Sequence, residues 1–247
     1  MDFYVGLHHP SDAKHFAQCM VSVSRLRERK SDFAVNDWML DSGAFMELKI
    51  HGQYRDSPSA YAAQIRRWKS CGRLVAAVSQ DYMCEPFMLE RTGLTVTDHQ
   101  RMTIERYDAL LAEQTGVYIL PVLQGYAPED YVTHIRQYGD RLALGAWVGV
   151  GSVCKRNADV GAIEHVLIAI HDARPDLKLH GFGVKLTALQ SSIVRACLHS
   201  ADSMAWSYAA RRDGRDANSW HEAAAFVTKI DAQRISRRAY QYRMEFV

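Results

Sequence analysis

The sequence predicts an α/β fold, a TIM-type (β/α)8 barrel that is irregular or incomplete. Three observations predict it. Short apolar runs alternate with segments of helical period, the pattern of a parallel sheet with helical crossovers. Successive runs are followed at once by acids, amides or glycines, as at the C-terminal rim of such a sheet. The chain has 247 residues with no Pro/Gly/Ser-rich linker or low-complexity tract. That suits one domain over 1–247, since barrels of this kind run to about 250 residues.

The apolar runs place strands at 3–7, 38–40, 74–78, 117–123, 142–148, 177–182 and 201–205. About seven strands are one short of a closed barrel, so the eighth is either hidden in an irregular segment such as 49–55 or absent. Ser57-Pro58 opens a helix whose apolar stripe is Tyr61, Ile65 and Trp68, spaced as one helical face with proline preset for the first turn. Asp98 precedes the stripe Ile104, Tyr107 and Leu111, which Gly116 closes. Pro128 starts a helix carrying Tyr131, Ile135 and Tyr138, ended by Gly139. Val160, Ile163, Leu167 and Ile170 form another, stopped before Pro175. Leu186, Leu189 and Ile193 mark a fifth, and a long final helix runs on from Asn218.

Composition narrows the function. Lys and Arg number 30 against 28 Asp and Glu, a formal net charge of +2. That excludes a uniformly basic surface, though not a local basic groove. No apolar run approaches the ~20 residues of a membrane span. The opening M-D-F-Y-V-G lacks the basic and apolar regions of a signal peptide, so a cytoplasmic protein without membrane contact is expected. Cys19, Cys71, Cys84, Cys154 and Cys197 are odd in number and unclustered. They read as reduced thiols rather than a zinc site, and neither metal nor cofactor is expected.

The informative residues follow the strands. They are Asp41-Ser42-Gly43, Ser79-Gln80-Asp81, Gln124-Gly125-Tyr126, Gly149-Val150-Gly151-Ser152, His180-Gly181-Phe182-Gly183 and Ser200-Ala201-Asp202. Each alone has an ordinary explanation. An Asp after a strand is commonly a helix cap, a Gly-x-Gly a tight turn, a Gln a loop tie. Six successive strand ends bearing such groups indicate a site instead. A Gly-x-Ser-x-Gly elbow, a His-Glu-x-x-His helix and a Gly-x-Gly-x-x-Gly fingerprint are all missing, so acyl transfer, metalloprotease chemistry and dinucleotide binding are poorly supported. A carboxylate pair can act at a glycosidic carbon, one group attacking C1′ and the other handling the leaving group's proton. A further Asp and a Gln suit a guanine-like base, accepting from N1–H and the exocyclic amine and donating to O6. Glycines let the flat base lie against backbone, with Phe182 or Tyr126 as a stacking face.

These residues resemble a known family. D-S-G-A-F at 41–45 resembles the D-S-G-G-F of tRNA-guanine transglycosylases. Q-G at 124–125 resembles their V-Q-G-G, and F-G-V-K at 182–185 their M-G-V-G. D-S-M-A-W-S-Y-A-A-R at 202–211 resembles the nucleophile segment of the archaeal branch, and Q-D-Y-M-C-E-P at 80–86 the segment with the base-recognising Asp. Closer still is a short paralogous branch, the deazapurine DNA modification protein A family of phages and bacterial genomic islands. G-L-H-H-P at 6–10, S-V-S-R-L-R at 22–27, D-W-M-L-D-S-G-A-F at 37–45 and G-V-G-S-V-C-K-R at 149–156 are similar to it.

The resemblance implies a pentosyltransferase that exchanges guanine in DNA for a 7-deazaguanine such as 7-cyano-7-deazaguanine (preQ0). Carried over by position, Asp202 is the nucleophile on C1′ and Asp41 the acid/base or second carboxylate. Asp81 and Gln124 read the base, and Ser42, Gly43, Gly149, Gly151, Phe182 and Gly183 border it. His8 and His9 follow the first strand, so at least one should reach the sugar or phosphate, a role that competes with a structural one. Lys155, Arg156 and Lys185 lie just beyond rim glycines, and Arg211 and Arg212 soon after the nucleophile. All five suit phosphate contacts. The remaining basic runs, Arg25 to Lys30 and Arg234, Arg237 and Arg238, read as solvated faces. His180 and His199 read as structural, and Trp206 as either a barrel plug or a stacking surface.

Two departures bear on substrate. The zinc subdomain of the tRNA-acting enzymes, C-x-C-x-x-C with a His, is missing, and Ala44 replaces the second Gly of D-S-G-G-F. The first shifts weight from tRNA to DNA. DNA and the free 7-deazaguanine base are therefore the expected partners, with room for partner proteins of a DNA-modification pathway. Exchange on tRNA, hydrolysis to an abasic product and a non-catalytic nucleic-acid-binding barrel are the alternatives.

Overall fold

In the computed structural model, residues 1–156 and 159–244 are described, with side chains except at 155 and 233–244. The nine parallel strand segments are β1 (Asp2–Leu7), β2 (Gln18–Ser22), β3 (Asp37–Asp41), β4 (Arg73–Val78), β5 (Ile119–Leu120), β6 (Val122–Leu123), β7 (Trp147–Val150), β8 (Lys178–Gly181) and β9 (Leu198–Ser203). They lie in the order β5-β4-β3-β2-β1-β9-β8-β7-β6. β5 and β6 are two halves of one run around Pro121, which has no N–H to give to a ladder. One half pairs with β4 and the other with β7. The Pro121 carbonyl still accepts from the Gly149 N–H at 2.8 Å. The sheet therefore closes into an irregular TIM-type barrel of eight staves, broken only at the proline.

The stave missing from the sequence reading is β2. Its apolar centre, Cys19-Met20-Val21, is only three residues long and no turn residues mark its ends. Residues 49–55, the segment expected to hide a strand, instead end helix α1 (Ala44–His51) and continue into a loop. Two boundaries also move. β7 starts at Trp147 because residues 142–146 form a turn, and β9 starts at Leu198.

Alternation along the strands sorts the core into two layers. Tyr4, Met20, Met39, Ala76, Val78, Leu120 and Val122 point inward and plug the barrel. Their neighbours Phe3, Val5, Val21, Trp38, Leu40, Ala77 and Leu123 point outward into the helical layer. The same period of two fixes the site. Two positions beyond an inner residue the strand ends, and the side chain there faces the mouth. Met20 leads in this way to Ser22, Met39 to Asp41, Val122 to Gln124, His180 to Phe182 and Ser200 to Asp202.

The helices largely follow their sequence signals. They are α2 (Pro58–Trp68), α3 (Pro86–Thr92), α4 (Val96–Ala112), α5 (Pro128–Tyr138), α6 (Val160–Ala173), α7 (Leu186–Leu189), α8 (Ser192–Cys197), α9 (Ala205–Arg212) and α10 (Trp220–Met244). Ser57 accepts from the Ala60 N–H at the start of α2, and Tyr61, Ile65 and Trp68 are buried. Asp98 lies inside α4 rather than before it. Thr95 is the cap, and Asp98 returns a bond to the Thr95 N–H, forming a capping box. The single helix expected around Leu186, Leu189 and Ile193 is two short ones, because Ser191 caps a second start at the Ile193 and Val194 N–H groups. α3 has no long apolar stripe and was not anticipated.

Candidate active site

The rim side chains surround a cavity of about 410 Å³ at the C-terminal mouth of the barrel, within the range of small-molecule sites. Asp41, Asp81, Asp202, Gln124, Gly43, Gly151, Phe182, Gly183 and His8 all line it. Asp41 and Asp202, far apart in sequence, thus line one cavity.

Asp202 lies one residue before the end of β9 and is buried. Its Oδ1 accepts from the Gly183 N–H at 3.0 Å, and His180 Nε2 lies 3.4 Å from the same oxygen. Gly183 has φ +61°, a left-handed conformation that glycine adopts without strain, and this turn aims its N–H at the carboxylate. Among the described residues no group bonds Oδ2, which leaves that oxygen to the cavity.

Asp41 ends β3 and accepts from the Gly43 N–H at 3.2 Å and from the Ser22 hydroxyl. Gly43, at φ +77°, supplies the tight turn that folds the N–H back. Burial raises the Asp41 carboxyl to about 6, and the Asp202 charge adds to the effect. The Ser22 bond and the N–H groups of Gly43 and Ser42 oppose it. An acid near 6 can both give and take a proton at neutral pH.

Asp81 is buried and accepts a short hydrogen bond from Gln124 Nε2. Burial lifts its carboxyl to about 7 against the pull of that bond, helped by the Asp41 and Glu85 charges. Gln124 is held at three further points. Its N–H donates to His134 Nδ1 at 2.8 Å, its carbonyl accepts from Gln100 at 2.8 Å, and its Oε1 lies 2.8 Å from Ser152 Oγ. The Ser152 hydroxyl also accepts from the Cys84 N–H and lies 2.9 Å from Glu85. Its single proton serves either Gln124 or Glu85.

Other rim residues stand behind the wall. Ser42 is buried and hydrogen-bonded to the Tyr54 hydroxyl at 3.2 Å, outside the cavity. Gly149 lies beneath the Phe182 ring, where a Cβ would come within 2.3 Å of a ring carbon. Gly151 makes room for Gln124, since a Cβ there would sit 2.2 Å from Nε2. Gly151→Ala is therefore expected to keep the fold but push the pinned Gln124 amide off Asp81. Affinity for the guanine-like base that the resemblance implies should fall at least about 10-fold by calorimetry, the size of one lost buried hydrogen-bond pair. Unchanged affinity would show that Gln124 plays no part in binding.

The basic candidates separate clearly. His8 bridges Ser207 Oγ at 2.7 Å and Arg25 at 3.4 Å. Its pKa is lowered by burial and by the nearby charges of Arg25, His9 and Arg211. His9 is exposed and precedes the turn Pro10–His15, outside the cavity. Arg156 lies over the Tyr126 ring at 4.2 Å and bonds the Ser152 and Tyr126 carbonyls, bracing the loop. Tyr126 is covered by Arg156 rather than facing the cavity. Lys185 is exposed at the start of α7, and Arg212 pairs with Asp213 at 2.9 Å. The side chain of Lys155, like those of Arg234, Arg237 and Arg238, lies outside the described residues. Trp206 is buried in the outer apolar layer, donates to the Gly6 carbonyl and does not line the cavity, so it neither plugs the barrel nor stacks in the mouth.

Sequence reasoning missed Ser22, Ser24 and Arg25, which line the cavity from the end of β2. Arg25 was grouped with a solvated run, yet within that run Arg27 pairs with Glu47 and Asp56 while Arg25 turns to the mouth. Ser152, Met83, Cys154 and Met204 also line it. Ser152 was legible only as the end of G-V-G-S. Among the described residues no group of three or more His, Cys, Asp or Glu could hold a metal ion. No described helix is long and apolar enough to cross a membrane.

A family model described as "DeoxyPurine in DNA protein A", DpdA, matches residues 1–242, nearly the whole chain. A comparison with curated proteins gives no match.

Proposed function

From the premise that this chain belongs to the DpdA family, and so acts in deazapurine modification of DNA, we propose that it is a base-exchange transglycosylase. It replaces guanine in DNA with a 7-deazaguanine such as preQ0. The observation that carries this reading is the division of three carboxylates within one cavity. One has an oxygen without a partner among the described residues, one is an acid near 6, and one is bound to an amide.

Asp202 Oδ2 attacks C1′ of the target nucleotide, and the bond to guanine N9 breaks with its electron pair leaving on the base. Asp41, protonated in part, gives the departing guanine a proton. Asp202 is then joined to C1′ as an ester. The incoming 7-deazaguanine gives its N9 proton to Asp41 and attacks C1′, and Asp202 leaves as carboxylate. Water taking the base's place would give an abasic site, and the enclosing wall of Phe182 and Gly183 helps exclude it.

Asp81 accepts from the base N1–H and exocyclic amine, while Gln124, held against Asp81 through one amide N–H, donates its other N–H to O6. Base binding thus requires Asp81 as carboxylate, whose pKa is about 7 in the free protein. Binding is expected to weaken by about an order of magnitude from pH 8 to pH 6, as this group takes up a proton. Titration of wild type with preQ0 across that range, against a flat profile in Asp81→Asn, checks it. A flat wild-type profile would detach Asp81 from recognition.

Arg25 and Arg211 have no carboxylate partner among the described residues, whereas Arg27, Arg55, Arg212 and Arg215 are all ion-paired. Ser207 and Arg211 are one turn apart on α9, above His8. These cations flank the side of the mouth where Asp202 lies, and suit the phosphates on either side of the target sugar. A stacked, paired nucleotide must leave the helix to reach the cavity, so flipping or single-stranded DNA is required.

The same chemistry on RNA is the alternative, and the family match favours DNA. Labelled guanine incubated with the protein and either DNA or tRNA separates them.

A further inference from the structure

Below Asp202, three side chains on adjacent strands form a line of hydrogen bonds inside the barrel wall. Trp147 is on β7, His180 on β8 and Ser200 on β9, and His180 is register-paired with both Gly149 and Ser200. Trp147 Nε1 can only donate, and it donates to Ser200 Oγ at 2.9 Å. Ser200 Oγ lies 2.9 Å from His180 Nδ1. Its own proton has no other acceptor among the described residues, so it goes to Nδ1, which leaves the imidazole proton on Nε2. That atom is fully buried, makes no hydrogen bond among the described residues, and lies 3.4 Å from Asp202 Oδ1. His180 does not line the cavity, so whatever it does passes through Asp202.

We infer that His180 is a positioning residue for the nucleophile, held as the Nε2–H tautomer by Ser200 and Trp147. The inference rests on the proposed exchange reaction. The Gly183 N–H is bonded to one oxygen of Asp202 and the buried Nε2 of His180 lies 3.4 Å from that same oxygen, which leaves the other as the attacking atom. The orientation serves both halves of the reaction. Before attack, the tied oxygen stops the carboxylate rotating, so Oδ2 faces C1′. In the ester, Oδ1 is the carbonyl oxygen and keeps both donors. When the new base attacks, those donors stabilise the carboxylate as it leaves. No proton is transferred to or from His180.

The experiment compares wild type with His180→Ala, His180→Gln and Ser200→Ala in the full chain, using preQ0 and guanine-containing DNA. His180→Ala is expected to lower kcat about 100-fold, the scale of a misaimed reacting group, with KM for preQ0 within twofold of wild type. The Gln side chain can place an N–H near the imidazole Nε2, so His180→Gln should recover at least tenfold of that loss. Ser200→Ala should lose part of the rate, because the tautomer is no longer fixed. A structural role alone would lower melting temperature and kcat together and give no rescue by Gln. That outcome, or a wild-type kcat in Ser200→Ala, overturns the inference. Should His180→Ala fail to fold, the other two variants still decide it. If wild type exchanges no base at all, the exchange reading fails. Nitrogen-15 NMR of the His180 ring then tests the positioning directly. An Nε2–H imidazole whose shift moves in Asp202→Asn supports it, and an Nδ1–H imidazole contradicts it.

Discussion

Replacing Asp202 by Asn is expected to abolish exchange while leaving the barrel folded. Asn has the same shape, and its carbonyl can still accept from the Gly183 N–H. The other position becomes an amide nitrogen, which is no nucleophile toward C1′. Losing a covalent nucleophile leaves only binding and orientation, so kcat should drop by about 10⁴-fold or more. The fold should not suffer. Asp202 raises the Asp41 pKa through like charge, and neutralising it relieves that repulsion. Two measurements check the result together. Wild type incubated with DNA and no acceptor base should form an adduct that survives denaturing electrophoresis, and Asp202→Asn should form none. Circular dichroism and melting temperature should match between the two. Full retention of base incorporation in Asp202→Asn would remove the nucleophile assignment.

Replacing Asp81 by Asn is expected to raise stability and destroy base binding at once. The folded carboxyl titrates near 7 against an ordinary value of 3.8. The folded protein therefore holds a proton that the unfolded chain releases as pH rises above about 4. Wild-type stability falls between roughly pH 4 and pH 7, and above pH 7 the full cost is present. Asn carries no charge and escapes it. A shift of this size corresponds to about 4 kcal/mol as an upper limit, and an imperfect fit to Gln124 brings the expected gain to ~1–3 kcal/mol. For a chain of this length that is a melting-temperature rise of about 2–4 °C per kcal/mol at pH 8, closing toward pH 4. Affinity for preQ0 should fall about 100-fold, since Asn turns an amide N–H donor toward the base's own donors. A variant less stable than wild type at pH 8 would show that the buried charge is compensated by contacts beyond Gln124.

How much of this was legible depended on where each residue stood on its strand. Asp41, Gln124 and Asp202 were readable because each follows an apolar run directly, and a period of two carries the inner face to the rim. Ser42 and Gly149 are immediate sequence neighbours of cavity residues or share their motif. Ser42 nevertheless turns away to Tyr54, and Gly149 carries the Phe182 ring. Adjacency on a strand is opposition in space. β2 was unreadable because its three apolar residues, unlike those at 38–40, have no Gly, Pro, Asn or Asp beside them to mark a strand end, and its rim residues Ser22, Ser24 and Arg25 were lost with it. His180 looked structural for a different reason. Its meaning comes from Trp147, Ser200 and Asp202, three residues on two other strands, and no spacing within one segment reveals such a line. The near balance of charge likewise hid an asymmetry. The acids gather inside the mouth, while Arg25 lines it and neither Arg25 nor Arg211 has a carboxylate partner among the described residues.

This barrel is proposed to put a 7-deazaguanine into DNA through Asp202. The most direct test incubates the protein with duplex and single-stranded DNA, tRNA and labelled preQ0. The nucleic acid is then digested to nucleosides, and the modified species is identified by mass. The account predicts the 7-deazaguanine deoxynucleoside from DNA with wild type and none with Asp202→Asn. Label in tRNA but not in DNA, or equal incorporation by both proteins, would contradict it.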